Sequence, residues 1–443
     1  LVVGAGCAGI AAALAAARTG ASTMLVERAG FAGGYITGVQ GASFDGFVDL
    51  RSGLPVVGGI VFELVPLAAR TSAPGDYART RFRFNAEIGQ MRGVQDLAYI
   101  RFDIERLKLV ADRLFRQAGV RVLYHTVVAD ALCRGTHVDG VVLANKAGLS
   151  VVKPRAIVDA SGDADVVAFA GGAYEMSDAA MQPMSLHFRI GNVQLTPETR
   201  DQCAAVLQRA HAEGKLHQYG GPWMANFDAD DYYFNATRIA GNGTRPEDLT
   251  RAETQGREDA WLMFEAFKAE VPAFRDSYLV NTGPVAGVRE TRRIRGTKTL
   301  TAGDIEDRRA QPDVVSLGGW WLDRHPKGGS GYHPHLMVRP YDIAYGTLVP
   351  QGLANVWVAG RCHSAESAAL ASSRVTITCM GMGQAAGTAA AMAVARKEGA
   401  HELAVRDLQA RLLADGAIIL ERAEEVRKVG DALGAVSVAS ASQ

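Results

Sequence analysis

The stretch GGWWLDRHPKGGSGYHPHLMVRPYDIAYGTLVP (318–350) gathers Trp320, Trp321, Asp323, His325, Tyr332, His333, His335 and Tyr341 in glycine-rich sequence. Asp323 and His325 stand two positions apart and pair a carboxylate with an imidazole. An imidazole held by a carboxylate takes and returns protons near neutral pH. Oxidation of an alcohol, an amine or an activated C–H bond needs such a base while hydride departs. A capping Asp beside a structural His would give the same pattern, and His333 or His335 could stand in for His325. Three histidines also raise a metal, but H-x-H between prolines lacks a third well-spaced ligand, so no metal site is assigned. A second chemical stretch is GVRETRRIRG (287–296), with Arg289, Arg292, Arg293 and Arg295. Strand-like alternation would put 289, 293 and 295 on one face and 292 on the other. Either this is a salt-bridged surface strand, or Arg289 or Arg292 faces a cofactor ring or an anionic substrate.

Such residues need a frame, and the amino terminus supplies one. LVVGAGCAGIAAALAAARTGASTMLVER (1–28) reads as an apolar strand, a glycine turn, an alanine-rich helix, a second strand and an acid. That order makes a dinucleotide-binding βαβ unit: Gly4 for the tight turn, Gly6 for the pyrophosphate, Gly9 for close helix packing. Gly4, Gly6, Cys7, Ala8 and Gly9 are therefore cofactor-binding candidates. Glu27 follows Gly9 by 18 positions (27 − 9), near the offset of a carboxylate that accepts from a ribose. In AIVDASGDADVVAFAGG (156–172) a buried strand ends in Ser161, Gly162 and Asp163, where an open α/β sheet meets its ligand.

Other segments read as scaffold. FDIERLKLVADRLFRQAG (102–119) places Ile104, Leu107, Val110, Ala111 and Leu114 at helical spacing, with Asp103 as N-cap and Gly119 as stop. VRVLYHTVVADALC (120–133) reads as a strand that packs His125, and 137–148 as its hairpin partner. MSLHFRI and YYFNATRI alternate as strands, and 245–271 is a long amphipathic helix. A short helix is expected over 62–70, and Arg79, Arg81 and Arg83 on a solvated loop. The late helix from about Thr378 to Arg396 is rich in Gly and Ala; its N-terminal turn suits a planar cofactor whose reduced form carries an anion. A helix from Leu403 to about Lys428 and a polar tail complete the chain.

Several of these stretches resemble one family. VERAGFAGG, with Arg28, Gly33 and Gly34, is similar to the FAD-binding fingerprint of the large flavoprotein superfamily, which favours FAD over NAD. VDASGDADV resembles the ATGDGD signature of the bacterial FAD-dependent oxidoreductases related to fumarate-reductase and heterodisulfide-reductase flavoproteins. MQPMSLHFRIGNV (181–193), GVRETRRIRGTKTLTAGDI (287–305) and VWVAGRCHSAESAALASSRVTITCMGMGQAAGTAAA (356–391) match the same family in order. The resemblance implies that Val128 borders the adenine, that Gly360 and Arg361 approach the phosphates, and that Met382 and Gly383 lie at the flavin. It also implies that Asp323-x-His325 sits near the flavin. His363 stands where the family usually has an aliphatic residue. Cys362 has no resolving cysteine nearby and reads as a small packed residue. The position near Gly34 and Tyr35 that carries a covalent flavin link in some relatives is not His, so FAD is expected to be noncovalent.

The fold expected is α/β: a Rossmann-like FAD-binding domain of glutathione-reductase type with an inserted α+β substrate domain. Residues 1–180 and 341–400 would form the discontinuous FAD-binding domain, 181–340 the substrate domain, and 401–443 a terminal helix and tail. A chain of 443 residues, 48% hydrophobic, is long enough for two cores. Its formal net charge of +0 argues against nucleic-acid binding by bulk charge. Five dispersed cysteines without a CxxC pair suggest a reducing, cytoplasmic compartment and give no iron–sulfur site. No membrane span is expected, since MGMGQAAGTAAAMAVA is better read as a packed core helix. No signal peptide is visible, and a short leader before Leu1 is left open. No second GxGxxG unit follows, so no built-in NAD(P)H domain is expected. The partners are then a small-molecule substrate and an external electron acceptor or oxygen, with a homo-oligomer left open. The leading function is an FAD-dependent dehydrogenase or oxidase that passes hydride to flavin N5, with Asp323 and His325 handling the proton. A flavin monooxygenase, and an electron-transfer or RNA-modifying flavoprotein subunit, are the alternatives.

Overall fold

The computed structural model describes residues 1–41, 43–47, 49, 55–68, 99–101, 103–179, 181–228, 230–331 and 336–419. Short valine-rich strands build its first sheet. β1 (Val2–Val3), β2 (Met24–Val26), β5 (Arg121–Leu123), β9 (Ile157–Asp159) and β18 (Val356–Val358) pair in parallel in the order β18-β9-β1-β2-β5. Burial on both faces explains why β1, β2 and β18 read as unbroken apolar runs, whereas β5 at the edge begins with the exposed Arg121. The expected βαβ unit is present, with α1 (Cys7–Arg18) between β1 and β2.

One face of that sheet is closed by two helices in backbone contact. The late helix α9 (Thr376–Arg396) begins two residues earlier than its sequence suggests and lies along α1. A Cβ at Gly383 would stand 2.1 Å from the Ala8 carbonyl oxygen, and one at Gly387 2.1 Å from that of Ala12. Glycines one turn apart thus face alanines one turn apart, which lets the backbones touch. Among the described residues, α9 is long and apolar enough to cross a membrane, yet 94% of its most apolar window is buried inside the protein.

The helix α3 (Ile104–Gln117) follows its sequence pattern closely. The Asp103 carboxylate accepts from the Arg106 amide at 3.1 Å, all five apolar positions are buried, and Gly119 takes φ +71. The run at 120–133, expected as one strand, is broken instead. His125 has φ +51 and is exposed, its ring set against Gly30, and β6 (Val127–Arg134) starts a separate antiparallel sheet. That sheet continues through β7 (His137–Asn145) and β8 (Gly148–Val152).

The second large sheet holds β11 (Phe188–Gly191), β12 (Tyr219–Asp228), β13 (Asp231–Thr237) and β14 (Tyr278–Thr282), in the antiparallel order β12-β13-β11-β14. Strand alternation splits its residues cleanly. Phe188, Ile190, Phe234 and Ala236 pack on α5 (Thr199–Ala212) and α6 (Pro246–Glu270) in a core of their own, with Phe188 stacked on Phe234 at 5.2 Å. His187, Arg189, Tyr233 and Asn235 therefore face the other way.

Smaller pairs are β3 (Ser43–Asp45) with β4 (Tyr99–Arg101), β10 (Tyr174–Glu175) with β15 (Arg293–Ile294), and β16 (Val314–Gly318) with β17 (Tyr341–Ala344). Short helices α2 (Ile60–Ala68), α4 (Asp165–Phe169), α7 (Ala302–Glu306), α8 (Ser367–Ser373) and α10 (Val405–Ala414) complete the described fold. The terminal helix thus stops well before Lys428, whose own position lies outside the described residues. Arg79, Arg81, Arg83, Tyr332, His333 and His335 also lie outside them.

Candidate functional site

Four neighbouring parallel strands end on one edge, and each delivers a sequence-predicted segment there. β1 ends at the turn from Gly4 to Gly9, β2 at Glu27, β9 at Ser161–Asp163 and β18 at Gly360–Arg361. The turn needs its glycines. Gly4 has φ +90, and a Cβ there would lie 2.5 Å from the Ala160 carbonyl oxygen. A Cβ on Gly9 would be 1.7 Å from the Gly4 oxygen, so helix and strand could not approach. Gly6 differs: a Cβ there would meet only the Gly34 Cα, at 4.0 Å. The turn is therefore open at the N-terminus of α1, whose cap carries no side-chain hydrogen bond and whose first turn holds no acid. First-turn amides without a side-chain cap, beside a bare glycine, fit a pyrophosphate. Glu27 is tied in place by the amides of Ala5 at 2.7 Å and Ala29 at 2.8 Å. The Thr126 amide donates to the Glu27 carbonyl oxygen at 2.9 Å, which brings the start of β6 and Val128 alongside.

The acidic loop is locked by protein groups. The buried Asp159 carboxylate accepts from the Ser161 hydroxyl at 2.6 Å and from the amides of Val166 at 2.9 Å and Val167 at 3.2 Å, which caps α4. Asp163 pairs with Arg361 at 2.8 Å and accepts from the Thr291 hydroxyl at 2.5 Å. Burial raises its pKa, but the Arg361 guanidinium and the Thr291 hydroxyl outweigh that and leave it lowered. Arg292 donates to the Asp163 carbonyl oxygen at 2.6 Å and pairs with Asp165 at 2.5 Å.

A separate polar cluster assembles from distant parts of the chain. His325 Nε2 lies 3.1 Å from Asp323 Oδ1, and the imidazole is only 6% exposed. Arg374, just before α9, reaches Asp323 Oδ2 at 3.6 Å and donates to its carbonyl oxygen at 3.0 Å. Gln182 Oε1 accepts from the His325 amide at 3.2 Å and from Arg374 at 3.4 Å. Across from them Arg238 and Arg289 share acceptors: Ser185 Oγ at 2.8 Å from each, and Asn235 Oδ1 at 2.7 and 3.2 Å. His187 lies edge-on to Tyr233 at 4.9 Å and to Tyr35 at 5.8 Å. Burial lowers the His325 pKa to about 3, and Arg289 pushes it the same way against the pull of Asp323. At neutral pH this imidazole is uncharged.

The sequence model of a family described as FAD dependent oxidoreductase matches residues 1–412. This chain belongs to the FAD dependent oxidoreductase family. FAD is its cofactor, and the open glycine edge of the first sheet fits the pyrophosphate of that cofactor. No curated protein sequence matches the chain. Among solved structures it is similar to a geranylgeranyl bacteriochlorophyll reductase-like protein of Thermoplasma acidophilum, at 13% identity and TM-score 0.44, covering 98% of this chain and 88% of that one. The flavin-dependent brominase Bmp2 matches at 14% identity and TM-score 0.45, over 90% and 79% of the two chains. The anhydrotetracycline hydroxylase OxyS of Streptomyces rimosus matches at 12% and 0.43, over 93% and 64%. Likeness this distant transfers no function from one flavoenzyme to another.

The geometry sorts the sequence-predicted residues of this FAD dependent oxidoreductase into three groups. Gly4, Gly6, Cys7, Ala8, Gly9, Glu27, Arg28, Gly33, Gly34, Val128, Ser161, Gly162, Asp163, Gly360 and Arg361 come to the nucleotide edge, where a Cβ on Gly34 would touch the Gly6 Cα at 2.8 Å. Arg361, expected as a pyrophosphate partner, is instead ion-paired with Asp163 and lies over Gly162. Met382 and Gly383 lie two turns inside α9 and are buried, so Gly383 packs the helices, and the first turn of α9, from Thr376, is buried as well. Asp323, His325 and Arg289 meet in the polar cluster, whereas Arg292 joins the acidic loop. The expected alternation across 287–296 is therefore corrected: only Arg293–Ile294 is strand, Arg293 approaches Glu290 at 3.4 Å, and Arg295 pairs with Glu175 in the exposed region. Cys362 is a packed thiol whose pKa burial pushes well up. His363 bridges the Gly360 carbonyl oxygen at 2.9 Å and the Ser373 hydroxyl at 3.2 Å. Tyr341 bonds Ser372 in the core and has no place in the cluster. Sequence reading missed His187, Asn235, Arg238, Gln182 and Arg374. The alternation of MSLHFRI and YYFNATRI carried the signal for the first two: one face apolar, the other lined by His, Arg, Tyr and Asn.

Proposed function

We propose that this flavoenzyme is a dehydrogenase or oxidase of a small organic molecule, in which His325 takes the substrate proton and Asp323 orients it. The observation that carries this reading is the buried, uncharged His325 held by Asp323 at 3.1 Å beside Arg374, the residue that leads into the N-terminus of α9. FAD, when bound, supplies the hydride acceptor. With Nε2–H donated to Asp323, the Nδ1 lone pair of His325 is the atom that accepts a proton. Asp323 then stabilises the imidazolium, as carboxylates do in other acid–base pairs. Burial of His325 keeps water from the imidazole and strengthens its bond to the half-buried Asp323. The sheet of β11–β14 belongs to the substrate side in this reading, consistent with a substrate domain spanning 181–340. Kinship with fumarate-reductase and heterodisulfide-reductase flavoproteins rests on the sequence motifs alone.

The test is anaerobic mixing of FAD-loaded enzyme with alcohols, amines, sugars and hydroxy acids, followed by absorbance and then by a dye acceptor. Bleaching of the flavin by one class, with dye turnover, is the expected outcome. Bleaching only by an external reductant, with oxygen entering the product, would assign the enzyme to the monooxygenases instead.

A further inference from the structure

We propose that Arg238, Arg289 and His187 form a carboxylate-binding subsite, so that the substrate of this enzyme is a small organic acid oxidised near its carboxylate. The inference rests on the oxidase reading above and narrows its substrate class.

Arg238 and Arg289 are 4% and 7% exposed. Buried guanidiniums are stable when paired with carboxylates, because desolvation of an ion costs several kcal/mol. Here, among the described residues, every acceptor of the two is neutral: Ser185 Oγ, Asn235 Oδ1, and the carbonyl oxygens of Pro183 and Thr237. Burial lowers the pKa of both; the Arg289 guanidinium pushes Arg238 further down, and Arg374 does the same to Arg289, which reaches about 10. Asp323 reaches them through space, but it is already held by His325 and Arg374. Two cations are thus concentrated with no anion of their own.

The place is built rather than accidental. A Cβ on Gly220 would stand 2.2 Å from Arg238 Cζ, so that glycine makes room for the guanidinium. The Ser185 hydroxyl and Asn235 amide oxygen fix both heads at once. His187 is 2% exposed, lies on the same sheet face as Asn235, and its Nδ1 has no hydrogen-bond partner. A buried polar atom without a partner beside two unneutralised guanidiniums points to a missing ligand. Guanidinium forks match the geometry of a carboxylate. The ligand also has a chemical consequence. His325 is pushed down by both Arg238 and Arg289. An anion seated on the arginines removes that push, so substrate binding makes His325 a better base at the moment a base is needed.

The experiment titrates FAD-loaded enzyme with acetate, propionate and benzoate, each against its neutral amide, and reads thermal stability together with the flavin difference spectrum. Carboxylates are expected to stabilise saturably and the amides not at all. Arg289→Gln is expected to weaken carboxylate binding roughly 30-fold. Asn235→Asp supplies an internal carboxylate where both guanidiniums already converge, and is expected to raise the melting temperature while abolishing binding. The proposal falls if no carboxylate stabilises the protein, if amides bind as well, or if Asn235→Asp binds like wild type. An Arg289→Gln enzyme with unchanged carboxylate affinity but a shifted flavin potential would give the arginines to the cofactor and overturn it as well. Stabilisation needs no turnover, so an enzyme that binds carboxylates but never reduces its flavin would sink the oxidase reading and leave the subsite standing.

Discussion

The glycine edge of the first sheet and the buried polar cluster are built on opposite principles. At the nucleotide edge the protein works by removing side chains: Gly4, Gly6, Gly9, Gly34, Gly383 and Gly387 bring backbones together or leave a gap. At the polar cluster it works by crowding them, with two buried guanidiniums, two buried imidazoles and the half-buried Arg374 and Asp323. The first end presents uncapped backbone amides, which never titrate. The second holds groups whose charge depends on neighbours and on ligand, which is what proton transfer requires.

The sharpest way to break the comparison is at Gly9. A valine there would place carbon 1.7 Å from the Gly4 oxygen, and that oxygen is backbone that cannot turn aside. Overpacking of this kind costs about 1–3 kcal/mol when neighbours relax and more when they do not. Gly9→Val is expected to yield protein without FAD or no soluble protein at all, read by flavin absorbance after purification. Retention of stoichiometric FAD would show that the turn is not the pyrophosphate cradle.

At the other end the expected loss is in rate rather than in folding. His325→Gln keeps a polar group of similar size but has no basic nitrogen to take a proton. A drop in kcat of about 10²–10⁴-fold is expected, with FAD content unchanged. Asp323→Asn is expected to lose less, and to shift the pH profile, because it removes orientation and not the base itself. Equal kcat in His325→Gln and wild type would move the chemistry elsewhere.

These two ends also differ in how much of each can be read from sequence. The glycine turn, Glu27 and the Ser161–Asp163 loop are local: each sits within one strand-and-turn unit, so spacing alone announces them. The five-stranded sheet and α3 follow from the same short-range rules. The polar cluster draws on Gln182, His187, Asn235, Arg238, Arg289, Asp323, His325 and Arg374, brought together by tertiary packing that no local pattern encodes. Asp323 and His325 were legible only because they are two residues apart. Arg361 and Arg292 pair with Asp163 and Asp165 across more than a hundred residues of sequence, and a count of charges along the chain cannot show that.

A smaller effect separates the ends by pH. The pKa of His363 is lowered to about 4 by burial, although its bond to the Gly360 carbonyl oxygen opposes this. A histidine whose folded pKa is depressed contributes stability that is present above its unfolded value near 6.5 and is lost as pH falls toward 4. Its share is about 3 kcal/mol across that window, at up to about 1.4 kcal/mol per pH unit. His363→Gln is expected to flatten the acid limb of the stability curve by that slope, measured by urea unfolding between pH 7 and 4.5. An unchanged slope would mean that the imidazole takes up its proton in the fold as readily as in the unfolded chain.

The mildest test returns to the nucleotide edge. Glu27 accepts from the amides of Ala5 and Ala29, so its geometry is set by backbone before any ribose arrives. Gln at this position keeps one acceptor oxygen and replaces the other with an amide donor that faces an N–H. One charge-assisted bond is lost and one amide is left poorly paired, a cost of about 1 kcal/mol. That corresponds to roughly fivefold weaker FAD binding by fluorescence titration of the apoprotein, with kcat of the loaded enzyme unaltered. A change in kcat would imply that this carboxylate also positions the reacting end of the cofactor. The nucleotide edge and the polar cluster would then act as one mechanical unit, and the contrast drawn between them would fail.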